Sequence, residues 1–143
     1  MQLIQKKFLK NNDFIYSKLY IMSWDIVLFS SAQKISSIDE IDEKKFIPIN
    51  FDKIISDHFD IEQSGEIKGN GFSIDFYIDD ELVSNKMISL YGEKALFEIA
   101  KLAKIQNWQI YDTSLNKMID LENLSKNGFA NFQSYLQKIL NKE

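Results

Sequence analysis

The stretch that most constrains the fold is residues 86–113, where a β-rich run is followed by a glycine, a helical pattern and a second β-rich run. Gly92 ends the first run, because a residue without a Cβ atom can turn the chain sharply. From Glu93 onward apolar residues recur at the spacing of one helix face, and Asn107 suits the left-handed conformation that ends a helix. The stretch therefore predicts a right-handed crossover whose two strands are parallel but need not be adjacent.

The remaining strands are predicted from composition and alternation. Residues 24–29 are nearly all apolar, which predicts a strand buried on both faces near the centre of a sheet. Residues 66–68 and 72–78 predict a β-hairpin, since the glycines and asparagine of residues 69–71 suit a turn with positive φ. With residues 86–91 the hairpin should form an antiparallel meander, and residues 117–121 are expected to pair back on residues 108–111.

The second hairpin strand alternates between apolar and polar residues, which predicts one core face and one wet face. The core face would carry Phe72, Ile74, Phe76 and Ile78. The wet face would carry Ser73, Asp75, Tyr77 and Asp79.

Two more helices are predicted from apolar stripes at helical spacing. The first is capped by Asn50 and has the stripe Phe51, Ile54, Ile55 and Phe59. The last begins at Ser125 or Asn127 and has the stripe Phe129, Phe132, Leu136, Ile139 and Leu140.

The order of elements, β-α-β-β-β-α-β-β-α, predicts an α+β fold. We expect a single mostly antiparallel sheet with helices on one face, approximately ferredoxin-like with additions. One domain would cover residues 22–143. Residues 1–21 show no clean period and are expected to be an N-terminal extension outside the core. The extension is interpreted as a loosely attached helix or a start assigned too early, with a basic arm that docks on a partner as the alternative.

The composition excludes several kinds of site. Cysteine is absent, which removes disulfides, thiolate catalysis and cysteine-based zinc sites, and fits a cytoplasmic location. His58 is the single histidine and brings no second zinc ligand, and arginine is absent, so no bidentate fork for phosphate exists. The net charge of -4 disfavours nucleic acid, and no apolar run approaches the roughly 20 residues of a membrane helix. We therefore predict no cofactor, no metal, no nucleic-acid partner and no membrane association.

Two acidic runs lie in predicted connections, where binding residues are disproportionately found. They are Asp39, Glu40, Asp42 and Glu43 in the first run, and Asp79, Asp80 and Glu81 in the second. We predict that these residues bind a partner with a basic surface, because opposite charges steer association. The alternative is that they are solvated charges that serve only solubility.

Residues 23–29 (SWDIVLF), 90–92 (LYG) and 107–113 (NWQIYDT) resemble a group of small uncharacterised bacterial proteins. That group often opens at Met-Ser-Trp-Asp, which stands here at residues 22–25, and the likeness runs to about residue 140. Its motifs are structural and bring no catalytic residues. By general type, the chain also resembles the immunity proteins of polymorphic toxin systems. That resemblance implies a non-catalytic protein-binding domain that neutralises a basic toxin.

Two other functions stay open at the level of sequence. A small enzyme would have to use Asp25, Asp75, Asp112, Tyr77, Tyr91 or His58, and no spacing among these matches a known catalytic constellation. A small-ligand-binding module would use the wet face of the sheet near Asp75 and Tyr77.

Overall fold

The structure, a computed structural model, describes residues 23–92 and 94–124. In chain order these residues form β1 (Trp24–Phe29), α1 (Phe51–His58), β2 (Glu66–Gly69), β3 (Phe72–Asp75), β4 (Asn85–Tyr91), α2 (Lys94–Gln106), β5 (Gln109–Asp112) and β6 (Lys117–Met118). Two short 3-10 helices, Ile38–Glu40 and Glu43–Lys45, lie between β1 and α1. The expected N-terminal extension and final helix fall outside the described residues.

The strands form one six-stranded sheet in the order β2-β3-β4-β1-β5-β6, and every neighbouring pair is antiparallel. The α+β class is thereby confirmed, as are the meander of β2, β3 and β4 and the pairing of β6 with β5. Because β1 lies between β4 and β5 and is antiparallel to both, β4 and β5 run parallel, as the crossover predicted. The ferredoxin-like plan stays a prediction.

One face of the sheet carries the core. Ile26 and Leu28 of β1 are fully buried there, and α1 and α2 cover this face with apolar stripes that belong to the same cluster. The expectation that β1 is buried on both faces is wrong. Asp25 and Val27, which alternate with the core residues, are only half-buried because the described helices pack on one side of the sheet.

The sequence predicts the start of α1 and the end of α2 correctly. The Asn50 side chain caps α1 by accepting from the Lys53 amide at 3.1 Å. After α2, Asn107 takes a φ of 59° and the Trp108 amide donates to Ala103 O at 2.9 Å, which closes the last turn. Buried alanines let α2 lie close to the sheet, and each fully buried Leu or Ile contributes about 1.5–3 kcal/mol of burial free energy.

The strand β3 is shorter than its alternation predicts. It ends at Asp75, and the Phe76 amide then donates to Gly65 O instead of continuing the ladder with β4. Phe76 remains buried, as expected, but Ile78 does not reach the core and is 44% exposed. Residues 76–84 therefore form a connecting loop, and this loop carries one of the two acidic runs.

Among the described residues, no helix is long and apolar enough to cross a membrane.

Candidate functional site

The sheet topology brings both acidic runs to one end of the molecule. The last residue of β1, Phe29, lies opposite the first residue of β4, Asn85, and the first residue of β5, Gln109. Residues 30–49 leave the sheet where β1 ends, and residues 76–84 enter it where β4 begins. These two segments therefore share one end of the sheet, which we call the loop end.

Backbone hydrogen bonds join the two segments of the loop end. Ile49 and Val83 exchange both backbone bonds, at 2.8 and 3.0 Å. The Ser30 amide donates to Ser84 O at 2.8 Å, and Ser30 O accepts from the Ile47 amide at 2.9 Å. The segments thus form one continuous surface and not two independent loops.

Two glutamine side chains hold the first segment in shape. The Gln109 amide group accepts from the Ile35 amide at 2.7 Å and donates to Gln33 O at 2.8 Å. The Gln33 side chain in turn accepts from the Asp42 amide and donates to Glu40 O, both at 2.7 Å. Each glutamine uses its donor and its acceptor, so the first acidic run is tied to the start of β5.

The carboxylates of the first run do not act alike. Asp39, Glu40 and Glu43 are exposed, whereas Asp42 is half-buried and caps a 3-10 helix by accepting from the Lys44 amide at 3.1 Å. Three exposed lysines lie in the same segment, namely Lys34, Lys44 and Lys45. The first run is therefore much closer to neutral than its five-residue sequence suggests.

The second run is anchored by a buried ion pair that the sequence analysis missed. Lys86 Nζ lies 2.9 Å from Asp52 Oδ1, and the two side chains are 3% and 2% exposed. The same ammonium group lies 2.6 Å from Asp79 Oδ2 and donates to Tyr77 O at 2.6 Å, while the Asp79 amide donates to Asp52 Oδ2 at 2.8 Å. Asp79 is thus mainly a structural residue. The sequence contains a signal for this ion pair, since Lys86 is in phase with the core-facing residues of β4.

Asp80 and Glu81 are the free charges of the second run. Both are exposed, and neither forms an ion pair with a described residue. Large apolar side chains of the same two segments are also exposed. Their exposed fractions are 91% for Tyr77, 59% for Leu82, 48% for Ile47 and 44% for Ile78.

A second polar cluster lies on the face of the sheet opposite α1 and α2, which we call the open face because no described helix covers it. Register places Asp25 and Asp75 on either side of Ser89, and the Ser89 hydroxyl donates to Asp25 Oδ1 at 2.8 Å. Burial, and then the charge of Glu66, raise the pKa of the Asp75 carboxyl above its usual range. Burial also raises the pKa of Tyr91, with smaller contributions from the carboxylates of Asp75 and Asp25. Asp75 Oδ1 is buried and accepts no hydrogen bond from a described residue.

The other candidate catalytic residues do not join this cluster. Asp112 is buried on the core face, where its Oδ1 accepts from Trp24 Nε1 at 3.1 Å and from the Ser114 amide at 2.9 Å. His58 is exposed at the end of α1 and packs edge-on against Phe59. Tyr77 lies in the loop beyond β3. The polar cluster pairs the Ser89 hydroxyl with the Asp25 carboxylate but includes no histidine, and among the described residues no three metal-ligating groups converge.

Comparison of the chain with models of protein families, with curated proteins and with solved structures found no match.

Proposed function

We propose that this chain is a non-catalytic protein-binding domain whose loop end binds a basic protein. The observation that supports the proposal is that the loop end combines free carboxylates with exposed apolar side chains on a backbone held by hydrogen bonds. Apolar groups supply most of the affinity of a protein interface, and charges at its rim supply steering and specificity. Neutralisation of a toxin is the most concrete form of this function, since many toxins that act on nucleic acid are basic because they must approach phosphates.

The charge of the loop end favours its second segment as the centre of the contact. Lysines offset much of the first acidic run, and Asp42 and Asp79 are engaged within the fold. Asp80 and Glu81 have no such partner among the described residues, so their field is available to an approaching basic surface.

The proposal is tested by co-expressing the full chain with the product of the adjacent gene and measuring the dissociation constant of the purified pair. Asp80→Asn with Glu81→Gln should slow association, and the difference from the wild type should shrink as salt screens the charges. The matched control is Asp60→Asn with Glu62→Gln, which removes the same charge from exposed positions outside the loop end. Loss of growth inhibition by the adjacent gene on co-expression would identify the partner as a toxin. Absence of a complex, together with hydrolytic or transferase activity of the purified chain, would refute the proposal.

A second candidate function is a small-ligand-binding module that uses the open face of the sheet. It is favoured by the buried Oδ1 of Asp75, which lies beside Ser89 and Tyr91 and accepts no hydrogen bond from the described part of the chain. A ligand with a hydrogen-bond donor, such as an amine or a sugar, would suit a carboxyl group in that position. Isothermal titration with such compounds would support it if Asp75→Asn abolished a heat signal that the wild type gives.

A further inference from the structure

We propose that Tyr77 is the anchor of this interface, and that the partner offers it an apolar pocket whose edge carries lysine or arginine side chains. This inference rests on the proposed function and adds the chemistry of the contact. Tyr77 is 91% exposed, the largest exposed fraction among the large apolar side chains that the structure describes. Tyrosine is enriched at the energetic centres of protein interfaces because its ring buries a large area and its hydroxyl finds a polar partner.

The backbone that carries Tyr77 is fixed on both sides. On the N-terminal side, the Phe76 amide donates to Gly65 O at 2.9 Å. Gly65 has a φ of 75°, and a Cβ atom there would lie 2.6 Å from Phe76 O, so only glycine permits this close approach. Tyr77 O itself accepts from the buried Lys86 ammonium group at 2.6 Å. The exposed ring is therefore held on an ordered backbone, which lowers the entropy lost when a partner binds it.

On the C-terminal side the same loop is held by Asp52 and by the pairing of Val83 with Ile49. The Asp79 amide donates to Asp52 Oδ2 at 2.8 Å, and Val83 exchanges backbone bonds with Ile49. These contacts hold the chain on both sides of Asp80, Glu81 and Leu82. Lys86 and Asp52 thus act as positioning residues for a surface that neither of them reaches.

The charges around the ring decide what kind of partner fits. Asp80 and Glu81 flank the apolar side chains and have no cationic partner among the described residues. A second copy of this chain would bring the same two carboxylates against each other across a two-fold axis, which like-charge repulsion opposes. A basic partner gains from the same arrangement, so the geometry favours a different, cationic protein.

The first experiment identifies what lies against position 77. The full chain carrying the photo-crosslinker p-benzoylphenylalanine at Tyr77 is irradiated in the cells that produce it, and adducts are identified by mass spectrometry. The matched control carries the same group at Lys68, which is exposed on β2 outside the loop end. We expect the cross-linker at position 77 to give one dominant adduct, with a protein of net positive charge. The cross-linker at position 68 should not form that adduct. An adduct between two copies of this chain, an equal yield from both positions, or no adduct from position 77 would overturn the inference.

The second experiment measures the energetic role of the ring with the purified cross-linked protein. Tyr77→Ala should weaken binding by about 30-fold or more, which is the scale of an interface hot spot, whereas Tyr77→Phe should stay within about 5-fold. Circular dichroism should show both variants folded, since the ring is exposed. If that protein binds and Tyr77→Ala changes its affinity by less than about 3-fold, the anchor role is wrong while the proposed protein-binding function stands. If it does not bind the wild type at all, both are wrong.

Discussion

Replacement of Lys86 by methionine is the most informative test of how the loop end is supported. Methionine keeps most of the side-chain volume but removes the ammonium group that faces Asp52, Asp79 and Tyr77 O. Asp52 would then be a carboxylate with a 2% exposed side chain and no counter-ion, although its bond from the Asp79 amide would remain. Asp79 is 39% exposed in its side chain and can be hydrated instead.

The size of the effect follows from this difference in burial. Removing one partner of a buried ion pair costs about 3–5 kcal/mol, because the remaining charge stays desolvated and unpaired. The half-exposed Asp79 should add little, so we expect the free energy of unfolding to fall by about 3–5 kcal/mol. The double variant Asp52→Asn with Lys86→Met removes both buried charges and keeps an acceptor for the Asp79 amide. It should therefore recover at least about half of the loss.

The measurement is urea unfolding of the full chain, followed by circular dichroism, with Lys53→Met as the control. The distance from Lys53 Nζ to Asp57 Oδ2 is 2.7 Å, similar to the distances in the Lys86 ion pairs. The side chains of Lys53 and Asp57 are, however, each 66% exposed. The control should change the stability by less than about 0.5 kcal/mol. A Lys86→Met variant as stable as Lys53→Met, or a double variant less stable than Lys86→Met alone, would show that the reasoning about burial is wrong.

Three further substitutions test other parts of the structure. Phe76→Asp should cost at least about 3 kcal/mol, because it places a charge in the core, whereas Tyr77→Ser should cost less than about 0.5 kcal/mol; equal losses in urea unfolding would refute the described loop. Gly92→Ala should cost about 1–3 kcal/mol, since Gly92 has a φ of 88° and a Cβ atom would lie 2.5 Å from Gly71 O; an unchanged melting temperature would contradict this. Asp75→Asn should stabilise the protein at neutral pH. Because the pKa of Asp75 is raised on folding, the folded state favours the protonated carboxyl group. Its contribution to the free energy of unfolding is therefore complete below the unfolded pKa of 3.8 and is lost as pH rises through the folded pKa. Thermal melts from pH 3 to 8 should therefore show the advantage of Asp75→Asn only at the higher pH values.

Much of the sheet was predictable because its determinants are local. Gly92 and Asn107 bound α2 through their own backbone preferences, and the alternation around Ile74 and Phe76 shows which face of β3 is buried. Alternation fails after residue 76, where Ile78 continues the pattern but is exposed. The reason lies in tertiary contacts. The Phe76 amide bonds to Gly65 O and the Asp79 amide bonds to Asp52, so the chain leaves the hydrogen-bond ladder with β4.

The candidate site was less predictable, because it depends on which segments meet. The charge of Asp39 and Asp79 makes both stand out in the sequence. In the structure, nearby lysines offset the negative charge of the segment that carries Asp39, and Lys86 pairs with Asp79. The exposure of Tyr77 agrees with the alternation of the sequence, but its place in a loop that leaves the sheet depends on the pairing of Phe76 with Gly65. No local pattern encodes that pairing.

The central position of β1 has a consequence for how the protein folds. Trp24 pairs with Leu90, and Ile26 pairs with Asp112, so both neighbours of the first strand come from much later in the chain. Contacts of such long sequence separation form slowly, whereas β2, β3 and β4 are joined by short connections. During synthesis the apolar β1 leaves the ribosome well before β4 and β5 exist, so it has no partner for either edge. We therefore expect the insertion of β1 between β4 and β5 to be the folding step that is most sensitive to chaperones and to neighbouring chains.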